Sequence, residues 1–307
     1  MTTIVTSYVN PDLDGVASAI LVAGYLMPAA SLRFAGRLNA ETLGVLGALR
    51  LQSDLGDFLQ PVTNPANFVL VDCHHPAQLP SFVRPEDVIQ VIDHHPDGHP
   101  EAFPNAVVQN EKVGAATTLV VEHVLLRPAS PLPAISAHHA GLVACAIASN
   151  TLDFTAPSTS ARDMKVFGLV RRLAQGIELD PLLASMREWR AQILSASTRE
   201  AVEHDVKVID SSLGKVAVAQ IEAHGARVLI HRPELRQELE ALASSRGAIS
   251  ALLSLVDTEE GTTTLFVTNS EVGKLVAALH PSSQSEFVFK LPYIALRKTH
   301  VIPALQG

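Results

Sequence analysis

Three short segments carry the residues of this chain best suited to chemistry. Asp12 and Asp14 flank Leu13 behind Asn10-Pro11. Asp72-Cys73-His74-His75 follows Phe-Val-Leu-Val, and Asp93-His94-His95 follows Val-Ile-Gln-Val-Ile. Taken alone, the first pair reads as turn chemistry, because Asn-Pro-Asp and Asp-Gly are strong turn signals. The two Asp/His clusters change that reading. Adjacent histidines point in alternate directions, so one ring can reach a metal while the other faces a substrate or an orienting acid. Carboxylates and imidazoles without thiolate suit Mn2+, Mg2+, Co2+ or Zn2+. Several carboxylates in one site favour two ions, spaced to activate a water and hold a phosphoryl oxygen.

Strand ends must carry these groups. Residues 4–8, 68–71, 88–92 and 107–109 are apolar runs of strand type. An apolar helix begins at Gly15, and residues 114–126 and 137–147 have helical patterns. This β-then-α rhythm predicts an α/β fold, with an N-terminal doubly wound, mainly parallel sheet covered on both faces. Ligands gather at the carboxyl ends of such strands, where Asp72 and Asp93 fall. A long polar helix is expected over 181–204, with the single tryptophan, Trp189. Beyond it, residues 206–209, 216–220, 228–230, 249–255 and 263–267 read as strands. Two helices interrupt them, over 233–245 with Pro233 at the first position and over 270–280 with Ser270 as the cap. The expected division is a first domain over 1–190, a helical linker over 191–204 and a smaller C-terminal α+β domain over 205–307.

Composition narrows the function. A chain of 307 residues with 47% hydrophobic and 18% charged residues can bury a large core and is not a disordered segment. Its net charge of −8 and lack of basic runs argue against duplex nucleic acid or an anionic membrane as partner. Two cysteines, Cys73 and Cys145, make neither a disulfide framework nor a thiolate cage. With no signal-type N-terminus and no apolar run of membrane-spanning length, the expected address is the cytoplasm.

Taken in order, Asn10-Pro11-Asp12-Leu13-Asp14, Val71-Asp72 and Asp93-His94-His95 resemble the motifs of the DHH phosphoesterase superfamily. They are most similar to the branch of the family II, manganese-dependent, inorganic pyrophosphatases and exopolyphosphatases. Gly36-Arg37-Leu38-Asn39-Ala40-Glu41-Thr42 resembles that branch's G-x-L-N-x-E-T segment. Ala148-Ser149-Asn150-Thr151-Leu152-Asp153-Phe154, running on to Asp163, resembles its fourth motif. Asp205-Val206-Lys207 is similar to the D-x-K opening of the pyrophosphatase C-terminal domain. The run from Leu296 through Arg297 and Lys298 to Pro303 is similar to its S-R-K-x-Q-V-V-P ending.

The resemblance implies hydrolysis of phosphoanhydride bonds, in pyrophosphate or short-chain polyphosphate, by a metal-activated water in an interdomain cleft. It implies Mn2+, or Mg2+ or Co2+, as two ions with one held more weakly. The implied metal ligands are Asp12, Asp14, Asp72 and His94; where the chain departs from the branch, His74 or His75 can serve as a replacement ligand and Asn150 offers a neutral carbonyl oxygen. Asp93, His95 and Asp14 inherit catalytic roles; His95, Lys207, Arg297 and Lys298 inherit phosphate binding. The implied partner is a small phosphorylated substrate, and a homodimer through the first domain's edge strand is compatible with the superfamily.

The sequence departs from the branch at four places. Tyr8 and Asn150 stand where the pyrophosphatases have a ligating His and a ligating Asp. Cys73-His74-His75 replaces the His-Asn that follows their Asp, and Leu296 replaces a Ser. A phenol titrates near roughly 10 and is a poor ligand at neutral pH. Two alternatives therefore stay open: a phosphodiesterase for short oligonucleotides or cyclic dinucleotides, and a degenerate protein that binds a phosphorylated ligand without cleaving it. Aromatic content of 5% offers few stacking platforms for bases. Gly114-Ala115-Ala116-Thr117-Thr118 reads as helix initiation or as an anion-binding helix start. His123 and His138-His139 read as surface features, and His99 as a turn residue within reach of the site.

Overall fold

A computed structural model describes residues 2–55, 66–96, 98–125 and 135–307. It contains two compact units, one ending at Met186 and the other beginning at Arg187.

The first unit runs β1 (Thr2–Thr6), α1 (Leu13–Leu21), β2 (Ser31–Leu32), α2 (Ala40–Ala48), β3 (Ala66–Val71), β4 (Val88–Asp93), β5 (Val107–Asn110), α3 (Ala116–Leu125), α4 (Ala137–Asn150) and α5 (Ala161–Leu173). All strand pairs are parallel, in the order β2-β1-β3-β4-β5. The chain leaves β1 toward one edge and returns to β3 on the other side, so the sheet has a switch point between β1 and β3. Ligands in parallel sheets sit in the crevice outside the strand ends at such a point. Helices α1 to α5 pack on one another and reach the sheet through α1 and α3. A second cluster, with Phe68, Leu70 and Val88, is closed by Phe82, Val83 and Phe103 from loops rich in 3-10 turns.

The strand expected over 4–8 stops at Thr6, which frees Ser7 and Tyr8 for the loop. The first helix starts at Leu13 rather than Gly15, because Asp12 caps it. Residue 126, expected to end a helix, lies outside the described residues.

The second unit includes the end of α6 (Leu179–Ala191), then α7 (Thr198–Glu203), β6 (Val206–Ser211), β7 (Gly214–Ala223), α8 (Leu235–Ser245), β8 (Ser250–Asp257), β9 (Thr262–Val267), α9 (Ser270–Val276), β10 (Ser283–Gln284), β11 (Val288–Leu291) and α10 (Ile302–Gln306). Its mixed sheet runs β10-β11-β9-β8-β7-β6. Only β7 and β8 pair in parallel, as a crossover through α8 requires. Strand β8 is buried along its whole length. Alternate side chains of β7 feed two cores, Ala217, Ala219 and Ile221 on one face and Val216 and Val218 on the other.

Four expectations are corrected here. The helix expected over 181–204 is broken: α6 ends at Ala191, a 3-10 turn spans Gln192–Ser195, and Ser197 starts α7 with a capping box to Glu200. From this stretch, Ala191, Ile193, Leu194, Ala201 and Val202 pack into the second unit's core. The strand expected over 228–230 is a 3-10 turn, Ala226–His231, in which Leu229 is buried while Val228 is exposed. Helix α8 begins at Leu235, leaving Pro233 before it, and Asn269 rather than Ser270 caps α9.

Candidate metal centre

The acidic loops meet at the switch point. Asn10 has φ 61°, in the left-handed region that asparagine tolerates. Its side-chain oxygen accepts from the Arg37 amide at 2.8 Å, and its own amide donates to Ala35. A Cβ on Gly36, at φ 86°, would lie 2.1 Å from the Asn10 side-chain oxygen, so this approach requires glycine. The G-x-L-N-x-E-T segment thus braces the loop that leads into Asp12. Asp12 Oδ1 accepts from the Asp14 and Gly15 amides at 2.9 and 3.1 Å. It is the N-cap of α1 and carries negative charge at the positive end of that helix.

Asp14 lies in the first turn of α1 and is buried. Its Oδ2 accepts from the Ala116 amide at 2.7 Å and from Asn150 Nδ2 at 3.0 Å. Its Oδ1 accepts from the Thr117 amide at 2.8 Å and from the Thr117 hydroxyl. The helix-start amides, which in sequence read as helix initiation or as an anion site, are therefore taken by this chain's own carboxylate, and the neighbouring Gly114 amide donates to Asp163. Burial pushes the Asp14 carboxyl up to about 6, against the opposing pull of His94 and Thr117.

Asp72 follows β3 and has φ 55°, a backbone strained for a non-glycine residue. His94 Nε2 lies 3.3 Å from Asp72 Oδ1 and 3.9 Å from Asp14 Oδ2. His94 Nδ1 lies 2.9 Å from the Val113 carbonyl, which can only accept. The ring proton is therefore on Nδ1, and Nε2 presents a lone pair toward the carboxylates.

Asp93 ends β4 fully buried, and its oxygens hold the surrounding rings. Oδ1 takes the His94 amide at 2.7 Å and His95 Nδ1 at 2.7 Å. Oδ2 takes His74 Nδ1. With Nδ1 protonated by this contact, His95 keeps Nε2 for a ligand.

Asp72, Asp93, His94 and His95 each bring a donor atom within 4.8 Å of the others, the one such group among the described residues. Two donors that share an ion at bonds of about 2.1 Å stand roughly 3 Å apart, as Asp72 Oδ1 and His94 Nε2 do. The donor set fits a divalent cation of the carboxylate-imidazole type.

The structure departs from the expected ligand set at His74 and Asn150, and it places Tyr8, expected to be a poor ligand, beside Asp12. His74 is buried with both ring nitrogens engaged, Nδ1 on Asp93 and Nε2 accepting from Asn110 Nδ2 at 3.1 Å. Its edge faces Gly98, where a Cβ would come within 1.6 Å of the ring. In this arrangement His74 serves as a support beneath Asp93. Asn150 presents its amide nitrogen, not its oxygen, to Asp14 and His94. Tyr8 accepts from the Asp12 amide at 3.1 Å; burial, then the Asp12 and Asp72 charges, push its phenol well above its usual range and keep it neutral.

The outlying histidines also settle. His75 caps the turn at Pro76, and His99, exposed and paired with Glu101, stands edge-on to it at 4.8 Å. His139 bridges Tyr25 and Asp54. His123 contacts Gln109. None of these joins the group. Sequence reading missed Thr117, Asn110 and the Val113 carbonyl as supports. The Thr-Thr pair at a helix start is the available signal: in sequence it reads as helix initiation or an anion site, and in the fold it serves an internal carboxylate.

In the second unit the expected phosphate binders differ in burial. Arg297 is 4% exposed. Its Nη2 lies 2.8 Å from both oxygens of Asp205, and Nη1 donates to the Asp205 and Val218 carbonyls. Nη1 and Nη2 are thereby engaged within the unit while the buried Nε has no hydrogen-bond partner among the described residues, and the pairing gives Arg297 an anchoring role. Lys207, on β6, and Lys298, next to Arg297, are half-buried.

Comparison with known proteins is consistent along the chain. The model of the DHH family, N-terminal domain, matches residues 2–147, and that of the DHHA2 domain matches residues 184–307. A manganese-dependent inorganic pyrophosphatase of Methanothrix thermoacetophila is 28% identical, over 99% of this chain and 97% of its own. Among solved structures, a Methanococcus jannaschii protein assigned to the family II inorganic pyrophosphatases superposes with TM-score 0.83 at 21% identity, covering 99% of this chain and 98% of that one. An exopolyphosphatase-related protein from Bacteroides fragilis superposes with TM-score 0.51 at 14% identity, over 99% and 91% of the two chains.

Proposed function

This chain belongs to the DHH phosphoesterase superfamily, in the branch of the family II inorganic pyrophosphatases, and from that membership we propose that it hydrolyses pyrophosphate with a divalent cation, manganese first, and short polyphosphates in second place. The observation that carries the reading is the Asp72–His94–His95 arrangement: a carboxylate and a proton-free imidazole nitrogen 3.3 Å apart, beside a second imidazole held by Asp93.

Asp72 and His94 are the residues that would hold the cation, with Asp12 alongside. When bound, the cation supplies positive charge to phosphoryl oxygens and acidifies water. The protein's own groups do the remaining work. Asp93 fixes the His95 ring and raises the basicity of Nε2, which then receives or returns a proton at the phosphate. Lys207 and Lys298 supply positive charge for the polyanion and its leaving group. Arg297, through Asp205, holds the segments that carry those two lysines. The domain match favours anhydride over phosphodiester substrates, because the DHHA2 model covers the whole of the second unit.

The test is phosphate release from pyrophosphate and tripolyphosphate with Mn2+, Mg2+, Co2+ or Zn2+, against a chelator control and the Asp72→Asn variant. Metal-dependent release that the variant abolishes is the expected result. No release with any of the four ions would overturn the reading in favour of a phosphate-ligand-binding protein.

A further inference from the structure

Asn150 occupies the space between two residues expected as metal ligands. Its Nδ2 lies 2.9 Å from the Gly114 carbonyl, 3.0 Å from Asp14 Oδ2 and 3.3 Å from His94 Nε2. The Gly114 oxygen can only accept, so it fixes the orientation of the amide. Turned over, Asn150 would set its own oxygen 2.9 Å from that carbonyl, acceptor against acceptor. One amide proton is thus committed to Gly114, and the other goes to Asp14 Oδ2, the nearer acceptor, with His94 Nε2 at the longer 3.3 Å.

Asp14 completes the picture. Its two oxygens already take four donors, from Ala116, Asn150 and twice from Thr117. An ionised carboxylate has about four acceptor positions, so Asp14 has no lone pair left over. A cation beside Asp14 would have to strip one of these bonds and would meet an N–H dipole pointing at it.

From this we infer that the Asn150 amide takes the place of a second cation, and that the centre admits one divalent ion, at Asp72 and His94. The inference rests on the metal-dependent reading above and deepens it. Asn150 is a positioning residue: its hydrogen bonds to Asp14 and Gly114 keep the Asp14 carboxylate saturated and closed to a second ion.

The experiment counts ions and needs no turnover. Protein stripped with chelator is titrated with Mn2+, bound metal is measured by equilibrium dialysis, and the electron paramagnetic resonance spectrum is recorded at saturation. The wild-type chain is expected to hold one Mn2+ with an uncoupled spectrum. Asn150→Asp removes the N–H and places a carboxylate beside Asp14, a pair of like charges that requires a counter-ion. It is expected to hold two Mn2+ with an exchange-coupled spectrum. Asn150→Ser, which lacks both the amide and the carboxylate, is expected to stay at one. Two ions in the wild-type chain, or a folded Asn150→Asp that still holds one, would overturn the inference. If Asn150→Asp does not fold, the wild-type count and Asn150→Ser decide. A wild-type count of zero would overturn the metal-dependent reading itself, which separates the two failures.

Discussion

Arg297 and Asp205 form a side-on pair in which one guanidinium nitrogen lies 2.8 Å from both carboxylate oxygens. Asp205 is near the start of β6 and Arg297 is near the C-terminus. The pair therefore fastens the second unit's last segment to its first strand. Arg297 is nearly enclosed while the Asp205 carboxylate stays 44% exposed, so part of its charge is still met by water. Arg297→Ala should cost on the order of 2 kcal/mol, as loss of hydrogen bonds to a charged group does, and should lower the melting temperature in calorimetry. Lys298→Ala should leave melting unchanged and weaken phosphate affinity instead. Equal melting losses in both variants would contradict the division into anchor and binder.

Asp93 makes a parallel claim in the first unit. It joins His74 below to His95 above, so a change at His74 should reach the centre through Asp93. His74→Gln should reduce manganese affinity or activity by roughly 10–100-fold, the usual cost of disturbing an outer support. Circular dichroism should show the fold intact. Unchanged kinetics and affinity would show that Asp93 holds its position without His74.

Gly36 reports on the Asn10 loop. A methyl there would collide with Asn10 and also require a left-handed backbone. Gly36→Ala should destabilise the chain by more than the ~1 kcal/mol of an ordinary positive-φ substitution. It should also weaken Mn2+ binding, because Asp12 moves with the loop. Gly176→Ala, at φ 84° with open space around it, is the control and should change stability alone.

Arg162 gives the pH-dependent case. It pairs with Glu111 and Glu122, joining α5 to the end of β5 and to α3. The Arg162 hydrogen bond, followed by that from Gln109, holds the Glu111 carboxyl below its ordinary range. A depressed carboxylate adds stability above its unfolded pKa, and that stability is lost as pH falls through the lower folded value. The groups are partly exposed, so Arg162→Gln should cost about 1 kcal/mol at pH 7. The difference in melting temperature between variant and wild type should shrink below about pH 4, where carboxylates protonate. A difference that stays constant down to pH 3 would mean the loss is one of packing.

The thiols offer a simple check on burial. Cys73 and Cys145 are both buried, and burial pushes the Cys145 thiol far above its usual range. Neither should react with a thiol reagent in the native chain, and both should react in denaturant. Fast native labelling of Cys145 would contradict the packing of α4.

The order of apolar runs and acidic loops in the sequence was enough to specify a parallel sheet with Asp72 and Asp93 at its strand ends. Hydrophobic periodicity records which face is buried, and a strand that ends in Asp records where water begins. Short motifs in a fixed order also carried the superfamily. Local pattern was weaker where caps compete with periodicity, as at Ser197, where one helix became two. It failed at Val228, where three apolar residues do not distinguish a strand from a turn. What each site residue touches was decided only by tertiary structure. Asp14 and Thr117 are 103 positions apart, farther than any periodicity can relate, yet the Thr117 amide and hydroxyl both donate to Asp14 Oδ1. His74 looks like a ligand in sequence and is a support in space, because Asp93 and Asn110 take both its nitrogens. The orientation of the Asn150 amide follows from a single carbonyl, at Gly114, that only the folded chain brings beside it.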